Sequence, residues 1–351
     1  MKAVIGKILK TVLPLGFGIY LLWYFFTNMS DESIVHFKTA FREADYFYIA
    51  LSMFLGWVAL VSRAIRWGYV LEPIGHKTSM WHRYHAINIG YLMNLTIPRS
   101  GEASRAAVLY RSDKVPFGKS FGTIVVERMV DLVALGIITL IAFYLGGEDF
   151  AYLWDELIAK FGGQKTSNDE GSPWLWIVIG LVLLGGILVL LKAKKDEAFR
   201  EKIVGFVKGI ISGVFAIFKS KSPAGYVFHT VLIWTSYVLM FLIPLYALDS
   251  TVDVPIRGVF IGFFVGTLGI IFTNGGIGTY PLLVGMVISF YLTDENPQDA
   301  EGIGNALGML IWTAQTLVVV VFGLISMFMI PKKHGKEDVD IQKDSEQGTS
   351  A

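Results

Sequence analysis

Long apolar runs separated by short charged loops dominate the hydropathy pattern of this chain. Six runs are predicted to span a membrane, for which a helix needs about 20 residues; they lie at roughly 12–26, 46–62, 121–145, 174–191, 226–248 and 303–330. Two further stretches, 81–97 and 256–292, are too short, too polar or interrupted by glycines. The pattern predicts an all-α polytopic membrane protein with about six full spans plus two re-entrant or broken helical hairpins.

The distribution of lysine and arginine among the loops predicts how these elements are oriented. Short loops rich in Lys and Arg lie on the cytoplasmic side, and both ends of the apolar region carry basic clusters, so we expect both termini there. By the same count, hairpin 81–97 enters from the cytoplasm and hairpin 256–292 from outside. The order span–hairpin–span then occurs twice with opposite topology, over about 46–145 and 226–330. Inverted repeats with paired broken segments indicate a transporter-type site near mid-membrane.

Composition and charge narrow the class of protein further. Hydrophobic residues make up 54% of the 351 residues and the mean hydropathy is +0.55, which excludes an ordinary soluble domain. The lack of cysteine excludes disulfides, thiol catalysis and cysteine-ligated metals. A net charge of +1 gives no reason to expect a nucleic-acid partner.

These observations predict one transmembrane domain over 1–330 of a multi-pass membrane protein. Within the domain, the basic stretch at about 192–222 has interleaved apolar residues. It predicts a cytoplasmic amphipathic helix or, equally well, a soluble helical linker. The polar tail at 331–351 lacks apolar periodicity, so we expect it to be disordered and cytoplasmic.

The first hairpin carries an unusual charged segment around Pro98. An intramembrane charge costs about 2.5–3.5 kcal/mol, so the segment must line a cavity or be buried in protein. Pro98 ends one helical segment, and Ser100 is suited to cap the next. Arg99, Glu102 and Arg105 recur every three residues and would share a helix face. Their positive excess suits a phosphate; the alternative is a self-satisfied structural clamp.

A second charged group stands at the start of the following span. Glu127 and Asp131 are four residues apart and share a face, so both ionise only if a cation lies nearby. Arg99 or Arg105 would supply that cation and tie the hairpin to the span, with Arg128 beside them. Alternatively, one carboxyl holds a proton, which would suit proton coupling.

The cytoplasmic end of the second span offers further candidates. Arg63 and Arg66, followed by Trp67, suit either a positive-inside anchor with an aromatic belt or headgroup binding. His82 and His85 share a helix face but lack a matching third ligand, so we predict no metal site. The complete set of candidate headgroup residues is Arg99, Glu102, Arg105, Arg63, Arg66, Asn94 and Ser100, with Glu127, Arg128 and Asp131 around them.

The second hairpin is rich in glycine and carries no charge at its break. Its candidate residues are Thr273, Asn274, Gly275, Gly276, Gly278, Thr279 and Tyr280. They offer tight turns, backbone dipoles and hydroxyls, and Pro281 fits the first turn of a helix. The alternative is a close helix crossing through small residues. Two Gly-x-x-x-Gly pairs, at 262–266 and 304–308, predict helix contacts within or between chains. The sequence is therefore compatible with either a monomer or an oligomer.

At these residues the chain resembles the lysylphosphatidylglycerol synthase transmembrane, or flippase-like, family. The matching motifs are Ser62-Arg63-Ala64-Ile65-Arg66-Trp67, Asn94 through Arg105, Glu127-Arg128-Met129-Val130-Asp131-Leu132 and Gly275-Gly276-Ile277-Gly278. Their order and spacing cover about residues 5–330. The resemblance implies a multi-pass protein of a bacterial-type plasma (inner) membrane, related to lipid-flipping domains, some of which are fused to aminoacyl-lipid synthases. Other relatives are described as polyprenol-phosphate sugar synthases.

The leading functional hypothesis is a flippase or transporter that binds an anionic or phosphate-bearing lipid headgroup between the two hairpins. Its partner would be a phospholipid or a polyprenyl-phosphate lipid. We expect no cofactor and no catalytic residue, and any lipid-modifying catalysis would come from a separate enzyme. The alternatives are an integral-membrane glycosyltransferase that uses a polyprenyl-phosphate sugar and a non-transporting scaffold for the cell envelope.

Overall fold

The computed structural model describes residues 29–97, 99–160, 222–292 and 296–330, with scattered positions in 16–27 and 192–204. These parts form α-helices joined by short turns and 3₁₀ segments, with no strand among them. The helices are α1 Asp31–Glu43, α2 Tyr46–Leu71, α3 Met80–Thr96, α4 Gly101–Asp113, α5 Phe117–Lys160, α6 Pro223–Leu242, α7 Ile256–Phe272, α8 Thr279–Tyr291 and α9 Pro297–Met329. The predicted all-α architecture is therefore confirmed.

Four of the described helices are long and apolar enough to cross a membrane. They include Tyr46–Ile74, Phe117–Phe150, Pro223–Ala247 and Asp299–Met329. Apolar side chains on their outer faces are exposed, such as Tyr144 at 89%, which fits contact with lipid. The predicted span 12–26 and the linker at 192–222 are described only in part, and the predicted span 174–191 and the tail at 331–351 lie outside the described residues. The predicted number of spans therefore stays a prediction.

The first hairpin is built from α3 and α4, and its shape differs from the prediction. The stretch 81–97 was expected to enter the membrane and return, but it forms one unbroken helix and supplies only the outgoing arm. The return arm is α4, which begins at Gly101, where the sequence predicted a new helix after Ser100. Its charge at Arg105 is tolerated because a carboxylate of α5 neutralises it inside the protein. We call α3 and α4 with their connection hairpin 1.

The arms of hairpin 1 pack closely because glycines face each other near its tip. A Cβ atom on Gly101 would overlap the carbonyl oxygen of Gly90 and the Asn94 side chain. At the other end of the arms, Asp113 accepts hydrogen bonds from the Ser79 backbone N–H at 3.3 Å and pairs with His82 at 3.0 Å. Contacts at both ends fix α3 and α4 as an antiparallel pair.

The second hairpin consists of α7 and α8 joined by a tight turn at Thr273–Gly278, close to the predicted break. Gly275, Gly276 and Gly278 all have positive φ angles, between 63° and 77°, a region that glycine enters without steric cost. Pro281 lies in the first turn of α8, as expected from the sequence. We call this unit hairpin 2.

The tips of the two hairpins contact each other. Leu95 of hairpin 1 packs on Gly275 of hairpin 2, where a Cβ atom would overlap the leucine. Hairpin 2 contacts α5 beyond the kink at Gly146, where Asp149 pairs with Arg257 at 3.2 Å. Hairpin 1 instead contacts the N-terminal part of α5, so the two hairpins approach α5 from opposite ends.

The long helix α9 joins the two halves of the molecule. One buried core forms around hairpin 1, α2 and α5, and it includes Trp67, Leu109 and Val318. A second core forms around hairpin 2, α1 and α6, and it includes Phe241 and residues of α9 up to Ala314. Gly304 and Gly308 of α9 pack directly on α8, so this predicted glycine pair makes a helix contact within the chain.

Candidate functional site

A buried group of charged side chains lies between α2, α4 and α5. Asp131 of α5 accepts hydrogen bonds from Arg63 Nη1 at 2.7 Å and Arg66 Nη2 at 2.8 Å. Glu127, one helical turn earlier, accepts from Arg105 Nη2 at 2.7 Å. All five side chains are less than a tenth exposed. With Glu102 and Arg128 at its rim, this group is called the central charge network.

The positions of Arg63 and Arg66 show that the membrane-anchor interpretation of these residues was wrong. Their side chains are 2% and 0% exposed. The reason is that α2 continues to Leu71, beyond the predicted end of its apolar run, so both arginines lie on an inward helix face. Arg63 Nη2 also donates to the Tyr237 hydroxyl at 3.3 Å. These arginines therefore contact protein groups and not the membrane surface.

The predicted clamp of Arg99, Glu102 and Arg105 does not form. Because α4 begins at Gly101, Arg99 lies outside the helix and out of register with the other two. Glu102 pairs with Arg128 at 3.0 Å, and Arg105 points to α5. Arg99 is exposed and has a φ of 60°, and no ion pair holds it within the described part of the chain.

The two carboxylates of α5 each have an arginine partner, as one of the sequence-based alternatives required. Arg105 is the cation that ties hairpin 1 to α5 through Glu127, and Arg63 and Arg66 neutralise Asp131. With these partners, both carboxylates can ionise without sharing a proton. The geometry thus favours the ion-pair alternative over proton coupling.

The central charge network has one more positive than negative charge. Four guanidinium groups, of Arg63, Arg66, Arg105 and Arg128, face three carboxylates. Several of their buried N–H groups lack a hydrogen-bond partner among the described residues, including Nε of all four arginines and Nη1 of Arg105. Of these, Arg66 Nε lies 3.7 Å from Glu127 Oε1, an ion-pair contact. Buried donors are normally satisfied. The network therefore has the charge and the free donors to accept a single anion.

The rim of the network is the part that solvent or lipid can reach. The side chains of Arg128 and Glu102 are 36% and 26% exposed. Arg105 is fixed more deeply, with its guanidinium 4.3 Å above the ring centre of Trp67. Trp67 is itself held by a 2.9 Å hydrogen bond from Nε1 to the Thr123 hydroxyl. An anion that enters past Arg128 would thus meet a rigid arginine behind it.

Asn94 and Ser100 both make hydrogen bonds that shape the tip of hairpin 1. Ser100 does occupy the predicted N-cap position of α4, but its side chain does not cap the helix. Its hydroxyl donates instead to the carbonyl oxygens of Met93 and Ile97 at 3.0 and 2.8 Å. The Asn94 side-chain oxygen instead accepts from the Gly101 backbone N–H at 2.7 Å, so Asn94 caps α4. Any contact of these two residues with a headgroup stays a prediction.

The polar groups of hairpin 2 are mostly satisfied within the protein. The hydroxyls of Thr273 and Thr279 are 2.6 Å apart, and Thr279 donates to the Gly269 carbonyl at 2.7 Å. The Gly275 carbonyl accepts from Trp312 Nε1 at 2.8 Å, and the Tyr280 hydroxyl accepts from Gln315 at 3.2 Å. Only the Asn274 amide nitrogen is buried without a partner among the candidate residues here. This geometry favours the close-crossing interpretation of hairpin 2.

Sequence reasoning missed two groups of polar residues. Tyr91 and Tyr237 surround Arg63 from other helices, and an isolated tyrosine in an apolar run gives no signal of this kind. Glu32, His36 and Asp299 converge at the other end of the molecule. The four-residue spacing of Glu32 and His36 was the only available hint. The noted histidines have ordinary partners: His82 pairs with Asp113, and His85 bonds to Ser326.

Comparisons with known proteins give a family and distant relatives. A family model described as the lysylphosphatidylglycerol synthase TM region matches residues 11–325. A protein named glycosyltransferase AglD from Haloferax volcanii is 25% identical over 68% of this chain and 43% of its own length. A UPF0104 membrane protein of Methanocaldococcus jannaschii is 28% identical over 30% of this chain and 33% of its length. Another, from Methanothermobacter thermautotrophicus, is 20% identical over 50% and 48%. The chain thus spans less than half of each relative, and no solved structure matches it.

Proposed function

Because the chain belongs to the family of lysylphosphatidylglycerol synthase transmembrane regions, we propose that it is a flippase-like lipid transporter. It binds an anionic or phosphate-bearing headgroup at the rim of the central charge network, beside the tip of hairpin 1. The observation that carries the proposal is the single positive excess of that network together with its unpartnered guanidinium N–H groups. A phosphodiester carries one negative charge and accepts paired hydrogen bonds from arginine.

Each arginine of the site has a distinct part in this proposal. Arg128 at the rim and Arg99 at the hairpin tip are exposed enough to meet the headgroup first. Arg105 lies behind them with free Nε and Nη1 groups. The buried floor of the site is formed by ion-paired side chains, namely Arg63, Arg66, Glu127 and Asp131. In this proposal the headgroup therefore binds between hairpin 1 and α5, and not between the two hairpins as the sequence alone suggested.

Hairpins that approach α5 from opposite ends and meet at their tips suit alternating access. A site beside the meeting point is separated from each side of the membrane by a different hairpin. In this proposal the protein lies in the plasma membrane with both termini cytoplasmic, and a separate enzyme makes or uses the transported lipid.

The second candidate is a glycosyltransferase that uses a polyprenyl-phosphate sugar. The name of the AglD relative favours it, although the similarity covers 43% of that protein. Against it, the buried carboxylates of the described site are all paired with arginine, which leaves none free to act as a base. A non-transporting scaffold is the remaining alternative.

Reconstitution into liposomes separates these functions. We expect full-length protein to move tail-labelled fluorescent phosphatidylglycerol across the bilayer, measured by quenching from outside. Arg99→Ala should slow this movement severalfold, and Arg111→Ala should not. Arg111 is the matched control because it is an exposed arginine of the same hairpin, in the last turn of α4. Movement unchanged by Arg99→Ala, or no movement at all, contradicts the proposal; a new glycolipid formed from a polyprenyl-phosphate sugar supports the second candidate.

A further inference from the structure

We propose that Glu32, His36 and Asp299 form a binding site for a divalent transition metal, with Zn²⁺ as the best fit. The site lies at the end of the molecule remote from the central charge network. Glu32 and His36 belong to α1, and Asp299 belongs to the first turn of α9. One ligand atom of each residue lies within 4.8 Å of the others.

The spacing of the ligand atoms suits a small cation. His36 Nε2 and Asp299 Oδ1 are 2.7 Å apart, and Glu32 completes the triangle. Ligands at about 2.0–2.2 Å from a tetrahedral metal stand roughly 3.5 Å apart. Small rotations of two side chains would therefore seat the metal without moving a helix.

The donor set indicates which metal the site prefers. Imidazole nitrogen favours zinc and neighbouring transition metals over Mg²⁺ and Ca²⁺, while the two carboxylates neutralise the charge of a divalent ion. Three protein ligands leave one coordination position open. Glu32 and His36 are four residues apart on one helix and so lie on the same face.

The helices that carry these ligands are held firmly together. Gly302 of α9 packs against the backbone of Ser33 and the Cβ atom of His36, where a side chain would collide. The start of α1 is fixed by Ser30, whose hydroxyl accepts from the Ser33 backbone N–H at 3.0 Å. Ligands on rigid, closely packed helices lose little conformational freedom when a metal binds.

A cavity of about 630 Å³ adjoins the proposed site and gives it access to solvent. His36 and Asp299 line one side of the cavity. Its other acidic lining residues are Glu43, Asp45 and Asp249. Their negative charge would raise the local concentration of cations. The open coordination position can therefore hold a water molecule from the cavity.

The alternative is that these residues serve structure alone. His36 and Asp299 would then be a simple ion pair, and Glu32 would stabilise the positive end of α1. The chain supplies a matched control in His82 and Asp113, a second His–carboxylate pair at 3.0 Å. No third carboxylate joins that pair among the described residues.

Zinc binding to purified full-length protein tests the proposal. After removal of metal with a chelator, titration with ZnCl₂ should show one saturable site per chain, and Co²⁺ should give the visible absorption of a low-symmetry site. Glu32→Gln, His36→Gln and Asp299→Asn should each weaken zinc affinity at least about tenfold. His82→Gln should leave it unchanged. Glu32 is exposed, so its substitution keeps the fold even if the other two variants lose stability.

Three results would overturn the metal site. One is the lack of saturable zinc binding in the parent protein. Another is a zinc affinity that is the same in Glu32→Gln, His36→Gln and the parent protein. The third is equal loss of affinity in His82→Gln, which would indicate general adsorption to histidine. Lipid transport does not enter this test, so its outcome is independent of the proposed function.

Discussion

The guanidinium of Arg105 donates to Glu127 at 2.7 Å and thereby joins the return arm of hairpin 1 to α5. Both side chains are almost completely buried. Breaking a buried pair by removal of one partner leaves an uncompensated charge, which costs about 3–5 kcal/mol. This pair therefore fixes the position of the hairpin relative to the spanning helix.

The first prediction concerns the stability of this pair. Arg105→Ala should destabilise the protein by about 3–5 kcal/mol, measured by thermal or denaturant unfolding in detergent. Glu102→Gln, which alters the exposed pair with Arg128, should cost less than about 1 kcal/mol. The double variant Arg105→Met/Glu127→Leu should be more stable than Arg105→Ala, because it removes the charge of Glu127 together with that of Arg105. Equal losses for Arg105→Ala and Glu102→Gln would contradict the burial argument.

The second prediction concerns Asp131, which neutralises Arg63 and Arg66 together. Asp131→Asn should be as damaging as Arg105→Ala or more so, since two buried guanidinium groups lose their main partner. Thermal unfolding in the same detergent provides the comparison. A loss no larger than that of Glu102→Gln would show that the network tolerates an unpaired arginine.

The third prediction separates lipid binding from stability at Arg99. A non-glycine residue at a φ of 60° is strained by about 1 kcal/mol or more, so Arg99→Gly should raise the melting temperature. The same substitution should reduce the further increase in melting temperature that phosphatidylglycerol gives the parent protein. Arg99→Lys should keep part of that increase, because lysine retains the charge but not the planar fork.

Two outcomes would contradict a headgroup role for Arg99. A purely structural residue would lower the melting temperature when replaced and leave the lipid effect intact. A lipid effect of equal size in the parent, Arg99→Gly and Arg111→Ala would also remove Arg99 from the site.

The fourth prediction concerns the close approach of the hairpin arms. Gly101→Ala should destabilise the protein by about 1–3 kcal/mol, because its Cβ atom would collide with Gly90 and the Asn94 cap. Gly136→Ala is the control, since nothing lies within 4 Å of a Cβ atom there. That change should be neutral or stabilising through helix propensity. Similar melting temperatures for the two variants would argue against tight packing at the tip.

The fifth prediction concerns topology. The chain has no cysteine, so single cysteines can be placed at will. An impermeant thiol reagent applied outside should label Lys160→Cys and not Ser112→Cys, because the loop charges place these positions on opposite sides. The reverse pattern would reject the predicted orientation and the inverted repeat that depends on it.

The sequence determined the class of the protein and the location of its unusual segments. Apolar runs at membrane-spanning length can form only helices in lipid, because every backbone polar group must be satisfied internally. The glycine cluster at 275–278 located the break of hairpin 2, since only glycine adopts positive φ freely. The charged residues after Pro98 and at Glu127 and Asp131 were identified as groups that must find partners within the protein.

The tertiary structure decided which charges pair. Spacing suggested that Arg99, Glu102 and Arg105 form one unit, but the helix starts at Gly101 and sends each of them to a different place. Arg63 and Arg66 resembled a surface anchor until the length of α2 placed them opposite Asp131. Local sequence gives a helix its period, whereas the partner of a buried charge depends on helices that come together from distant parts of the chain. For the same reason the sequence did not identify Glu32, His36 and Asp299 as a group, since only the tertiary structure shows that α1 and α9 are neighbours.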